Sequence, residues 1–404
     1  MLFRSIFLAS LATTLLFALG ACAQTAGVAG SSFSPDSVDA PDGAMMIVID
    51  DPRSERRRRG VVSPGYTSSL AYHDDPALKR AADRIARDHD LTLVSHWPLR
   101  NLAVHCLVVE APTTTAMQAL DQDTRVRWMQ PFNEFATQSV SAAELVKNTQ
   151  TRAGAAERRS IKSLFSSLQE QGAGVKIAVV DTAIDASHPD LSTSMIKQTN
   201  FAGSRGRPGI EEHGTAVVGL IAANPLRPEG VQGFASEADV RVLRACWQPE
   251  GKTVGKCNTL TLALALDAAI DLQPQVLNLS LTGRYDRVLE ELLAVLLERG
   301  TIVIAAYDDQ RSAAKRFPAS QPGVVYAYGA VDTDVQRFSN EGTVLSAPRH
   351  ALSLAPKAGY DLVSGHSIAA PQISALAARL IEGQPEASRQ QILTQLTNWL
   401  GHRS

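Results

Sequence analysis

The chain has 404 residues, 45% of them apolar and 20% charged, the composition of a folded protein with room for two domains. Disorder is excluded as its general state. A formal net charge of −2 gives no electrostatic case for a nucleic-acid partner, and the one dense basic run, Arg56–Arg59 beside Pro and Gly, reads as a solvated connector.

The first residues read as a targeting segment, with Arg4 as a positive n-region and Ile6–Leu19 as an apolar stretch too short for a flanked transmembrane helix. A signal peptide over residues 1–21 is expected, and two exits from it compete. Leu19-Gly-Ala-Cys22 resembles a bacterial lipobox, which implies lipid on Cys22 and a place in the cell envelope, periplasmic or at the outer membrane. Ala21-Cys-Ala23 equally suits an ordinary signal peptidase and secretion. Lipidation is favoured, because a cysteine directly after the apolar run has little other reason to be there. No later stretch is long enough to span a bilayer.

Residues 22–43 are rich in Gly, Ser, Ala and Pro and read as a flexible tether. Over 44–136 the patterns run strand (45–50), helix (77–89), strand (91–97), strand (102–111), helix (113–122), strand (126–132), the βαββαβ order of a ferredoxin-like α+β domain. A polar linker is expected over 137–172. From 173 to 404 the texture changes to continuous apolar strands, VKIAVVD, VRVLRA, VLNLSL, TIVIAAY and VVYAYGAV, with helices near 214–223, 259–272, 287–299 and 367–382. That alternation predicts an α/β, doubly wound, mostly parallel sheet with its chemistry at the carboxyl ends of the strands.

Export permits disulfides. With Cys22 taken by lipid, Cys246 and Cys257 are close enough to staple one loop, and Cys106, inside an apolar run, is expected to be a buried thiol. No Cys/His spacing suggests zinc, and no glycine-rich loop follows the first strand of the second domain to cradle a nucleotide. No cofactor is expected.

Three segments of the second domain carry reactive side chains. VVDTAID closes an apolar strand with Asp181, EEHGTAVVG sets His213 at the start of a helix, and SGHSIAAP sets Ser367 at the start of another. A serine hydroxyl needs an imidazole base, and the base needs a carboxylate to fix its tautomer. His188 reads as a loop residue, Asp185 and Asp190 as turn and cap residues, and His366 as a solvated imidazole.

The chain order Asp, His, Ser resembles that of the subtilisin family of serine peptidases. The resemblance is carried by Asp181–Leu191, His213–Gly219, Asn278–Leu281 and Gly365–Pro371, in order, in a stretch of roughly 220 residues that runs to near the C-terminus. It implies a peptidase domain with Asp181, His213 and Ser367 as catalytic triad, acting on polypeptide. Substrate is expected to pair as an extended strand with Ser280, Leu281, Thr282 and Gly283 and with the segment after Cys246. The preceding unit is similar to the family's inhibitory, fold-assisting prodomain, which makes it the chain's own partner. Calcium is common in the family, but Asn224–Glu229 lacks a convincing oxygen cluster, so no metal is expected.

Two departures accompany the resemblance. Where the family pattern has Gly-Asn, whose amide donates to the oxyanion, this chain has Tyr307-Asp308, or Asp309 if the register slips by one. An ionised Asp308 only accepts hydrogen bonds and would repel that charge, whereas a protonated one has an O–H to donate. The first implies an impaired peptidase, or a subtilisin-fold protein binding extended peptides as scaffold or sensor; the second implies an active enzyme favouring mildly acidic pH. Ala183, where glycine is usual, requires a negative φ.

Overall fold

The structure is a computed structural model. It describes residues 40–53, 75–137, 165–191, 194–207, 211–225, 228–308, 316–318, 321–330 and 343–400. The signal peptide, Cys22, most of the tether, the Arg56–Arg59 run and Asp309 lie outside them.

Six elements open the chain: β1 (Met45–Asp50), α1 (Pro76–Asp88), β2 (Leu93–Leu99), β3 (Val104–Val109), α2 (Thr114–Asp121) and β4 (Val126–Pro131). They form an antiparallel sheet in the order β2-β3-β1-β4, as the βαββαβ pattern predicts. Local chemistry starts both helices. Asp75 accepts from Ala77 N–H ahead of a proline in the first turn of α1, and Thr113 accepts from Ala116 N–H at α2. Cys106 is buried in this sheet, and burial pushes its thiol pKa up. A short strand, β5 (Glu134–Thr137), follows and leaves this unit altogether.

The second region contains β6 (Lys176–Asp181), β7 (Ile196–Asn200), α3 (Glu212–Ala222), β8 (Asp239–Arg244), β9 (Lys256–Asn258), α4 (Thr259–Leu272), β10 (Val276–Leu279), β11 (Leu281–Arg284), α5 (Arg287–Glu298) and β12 (Ile302–Ala306). It continues with β13 (Arg316–Phe317), β14 (Val325–Ala330), β15 (Thr343–Pro348), the hairpin β16 (His350–Ala355) and β17 (Gly359–Ser364), then α6 (His366–Gly383) and α7 (Arg389–Leu400). Among the described residues a seven-stranded sheet, order β15-β14-β12-β10-β6-β8-β7, is parallel at every pairing.

Successive side chains of a strand face opposite sides, and β6 shows why these strands are apolar throughout. Ile177 and Val179 enter a core with Val217 of α3 and Ile373 of α6, while Ala178 and Val180 enter one with Leu266 of α4 and Leu292 of α5. Met46, Val48 and Trp97 of the first unit join that second core, so its sheet is seated on α4 and α5. The expected strand VLNLSL is two strands, because Ser280 interrupts it and turns the chain out of the parallel sheet. β11 then joins a second antiparallel sheet, order β13-β11-β5-β9.

Candidate active site

Asp181 ends β6, at the carboxyl edge where β8 and β10 diverge to either side. Its Oδ1 lies 2.7 Å from His213 Nδ1 and accepts Thr182 N–H at 2.7 Å. Both side chains are buried. Ionised aspartate only accepts, so the proton of that contact sits on Nδ1 and Nε2 is left as the acceptor. Nε2 is itself buried and makes no hydrogen bond.

His213 is the second residue of α3, whose first turn closes tightly on the strand that carries Asp181. Gly214 N–H donates to Thr182 Oγ1 at 2.9 Å, and a Cβ on Gly214 would come within 2.5 Å of the Thr182 carbonyl oxygen. Glycine is therefore dictated at this step by close approach of backbone. Ala183 keeps a negative φ, as its position requires.

Ser367 is the second residue of α6, which follows Gly365 and packs against α3. Its carbonyl accepts from Ser280 Oγ at 2.9 Å; Ser280 Oγ in turn accepts from Asn278 Nδ2, and Ser374 Oγ donates to Asn278 Oδ1. These buried bonds fasten α6 to the β10–β11 junction. His366 departs from expectation. It is buried rather than solvated, between Tyr307 and Tyr328, and its Nδ1 accepts Gly329 N–H at 2.9 Å. Tyr307, just after β12, and Tyr328, on β14, pack against its ring.

Asp308, two residues beyond the end of β12, is buried, and the Arg316 guanidinium donates to its carbonyl oxygen while lying 4.8 Å over the Tyr307 ring. Asp185 accepts from Ser187 and from Lys357 N–H, and Asp190 from Tyr360, so both act as turn and hairpin anchors.

The groove beside these groups is filled by the chain itself. β5 runs antiparallel between β11, with Leu281 opposite Thr137, Thr282 opposite Ala136 and Gly283 opposite Phe135, and β9, with Cys257 opposite Phe135. Thr137 N–H donates to the Gly255 carbonyl at 3.0 Å. A Cβ on Gly283 would fall 2.1 Å from Phe135 Cδ1, so this ring occupies space that only glycine leaves open. On the far side of β5 from β11 lies β9, which contains Cys257, and Trp247, next to Cys246, forms a bridge with Lys256 of β9. The Cys246–Cys257 disulfide, with Cα atoms 4.3 Å apart, joins the two arms. Sequence reasoning did not find β5. Nothing in Glu134–Thr137 beyond a brief apolar alternation marks it as a strand.

Residues 172–400 match the profile of the subtilase family. The thermophilic serine proteinase of Bacillus sp. (strain AK1) is 33% identical over 214 residues, covering 51% of this chain and 52% of that protein. The major intracellular serine protease of Bacillus subtilis (strain 168) is 30% identical over 243 residues, covering 56% and 73%. Thus the chain spans about half the length of the first and nearly three quarters of the second. Fervidolysin from Fervidobacterium pennivorans, a keratinolytic enzyme related to subtilisin, shares the fold. Its crystal structure has a TM-score of 0.62 at 20% identity, with 89% of this chain and 58% of that one covered. On the strength of the matched domain, which takes in the whole parallel sheet and the residues at its carboxyl edge, this chain is a member of the subtilase family of serine proteases.

Proposed function

We propose that the chain is an exported serine endopeptidase made as a precursor. Ser367 Oγ attacks the peptide carbonyl, and His213 Nε2 takes its proton and passes it to the leaving amine. Water then hydrolyses the acyl-enzyme by the same base, while Asp181 holds the imidazole in its tautomer. The observation that carries this reading is the seat of Glu134–Thr137 as an antiparallel strand on β11, in a chain whose His213 is bonded to Asp181 through Nδ1 and keeps a buried Nε2 that makes no hydrogen bond. A catalytic hydrogen bond of this kind tightens in the complex rather than before it.

The substrate is polypeptide in extended form, bound by main chain along Ser280, Leu281, Thr282 and Gly283. Residues 44–136 act as the prodomain of the 173–404 peptidase domain, and the bond cut first lies within the residues that follow Thr137. Asp308 stands at the oxyanion position. Export is directed by residues 1–21, and Cys22 carries lipid that holds the enzyme at the bacterial cell envelope. No helix among the described residues is long and apolar enough to cross a membrane.

Intact mass and N-terminal sequencing of the purified wild type beside Ser367→Ala test the reading. Only the wild type should lose its first unit, with a new N-terminus shortly after Thr137. Two full-length proteins, neither labelled by a fluorophosphonate probe, would overturn it. Lipidation is read separately, as a mass gain on Cys22 that Cys22→Ser abolishes.

A further inference from the structure

Two buried ions beside the site carry no role that the sequence motifs assign to them. Arg244 closes β8 directly opposite Asp181 in the ladder, and Glu211 is the cap residue of α3, two positions before His213. They are 0% and 1% exposed. The Arg244 guanidinium donates through Nη1 to Asn200 Oδ1 and the Gly203 carbonyl, each at 2.9 Å, and through Nη2 to the Arg205 carbonyl and to Glu211 Oε1 at 3.0 Å. The Glu211 carboxylate also accepts Ala183 N–H at 2.6 Å, and Arg207 N–H and Gln248 N–H at 3.2 Å each.

These bonds converge on the geometry of the histidine. Glu211 does not cap its own helix by side chain, because its carboxylate is turned back to the turn after Asp181. Thr182 Oγ1, in that same turn, takes Gly214 N–H from the first turn of α3. The strand end carrying Asp181 and the helix start carrying His213 are thus tied twice, through Glu211 before His213 in sequence and through Gly214 after it. Arg244 fixes the first tie from the neighbouring strand. Gln248, next to the stapled Cys246 arm, adds a third element by also accepting Glu212 N–H at 3.0 Å. A buried ion pair is a weak device for stability, since desolvation offsets the attraction. Its worth here lies in direction.

We propose that the Arg244–Glu211 ion pair is a positioning device for His213, holding Nδ1 against Asp181 so that Nε2 stays aimed at the nucleophile. Neither residue touches substrate. Misplacement of a catalytic group by about 1 Å costs on the order of 10²-fold in rate, and loss of the guanidinium leaves the buried Glu211 carboxylate with backbone N–H donors but no counter-charge from β8. The inference rests on the proposed hydrolysis for its kinetic readout and on the His213–Asp181 contact alone for its spectroscopic one.

The experiment uses the full chain with Ser367→Ala, which does not process itself. Proton NMR reads the low-field resonance of the His213 Nδ1 proton, assigned by its loss in His213→Ala. Arg244→Met on this background should shift or broaden that resonance while circular dichroism stays native. In the otherwise unaltered enzyme Arg244→Met should lower kcat on a chromogenic peptide at least tenfold with KM within twofold, and Arg244→Lys should restore part of the loss. Because removing one partner can unfold the chain, the double variant Glu211→Gln/Arg244→Met, which removes both charges of the pair, carries the same expectation. An unchanged resonance in either folded variant, or an unchanged kcat, overturns the proposal. A wild type without turnover, whose resonance still responds to Arg244→Met, overturns the peptidase reading and leaves the positioning role standing.

Discussion

Phe135 meets Phe317 edge to face, with ring centroids 5.5 Å apart, and the two residues stand on opposite sides of β11. One ring belongs to the segment seated in the groove and the other to the wall of the groove. Such aromatic pairs add about 0.5–1.5 kcal/mol beyond their burial, so the proposed substrate strand β11 is crossed at Gly283 by aromatic packing from both of its neighbours.

Gly283→Val should therefore keep the fold and close the subsite. The added side chain meets the Phe135 ring, so release of the first unit should slow by an order of magnitude or more, as should turnover of peptides with an aromatic residue at the matching position. Phe135→Ala should slow only the first of these. The time course of the full-length band and kcat/KM on paired peptides separate the two effects.

Asp308→Asn restores an amide donor where the developing oxyanion is expected. Loss of such a donor costs about 10²–10³ in kcat in subtilisin, the worked case from which the magnitude is taken. The substitution should raise the neutral-pH rate by up to that factor. Superimposable pH–rate profiles for wild type and variant would show that Asp308 plays no part in stabilising charge.

Asp286 heads α5 and binds the first unit, accepting from Gln130 Nε2 at 2.7 Å and Asn133 Nδ2 at 3.0 Å as well as from Thr259 Oγ1 and Leu289 N–H. Asp267 of α4 likewise accepts from Asn101. Burial raises the pKa of both carboxyls against these donors. A raised folded-state pKa means the folded form holds the proton longer than the unfolded one. The resulting stabilisation is complete below the ordinary carboxylate pKa of about 3.9 and is lost as pH climbs through the raised values. Urea unfolding of the Ser367→Ala chain at stepped pH should show this slope, and Asp286→Asn, which cannot ionise, should flatten it.

Cys246 and Cys257 are 11 residues apart, and closing a loop of that order contributes about 2–3 kcal/mol by restricting the unfolded chain. Cys257→Ser should lower the denaturant midpoint accordingly. Because β9 forms one wall of the groove, the same variant should raise KM for extended peptides more than it lowers kcat. An unchanged KM would separate the staple from substrate binding.

Much of this protein was legible before any coordinate. The βαββαβ order and the apolar strands alternating with helices are carried by local periodicity, which depends on near neighbours, and so is the burial of Cys106 in its strand. Asp181, His213 and Ser367 stood out because each sits at an element boundary in a recurring short motif. What local pattern could not decide were contacts between residues distant in the chain. Ser280 breaks a strand because its hydroxyl is needed by the Ser367 carbonyl, 87 residues on. His366 is buried because Tyr307, from the segment after β12, and Tyr328, from β14, meet around it, and Arg244 finds Glu211 only when β8 lies beside β6. β5 has no strand identity of its own. It is a strand because β11 and β9 offer it unpaired edges, so the sequence by itself determined the elements and the chemical groups, while the assembled sheet alone decided which segment fills the groove.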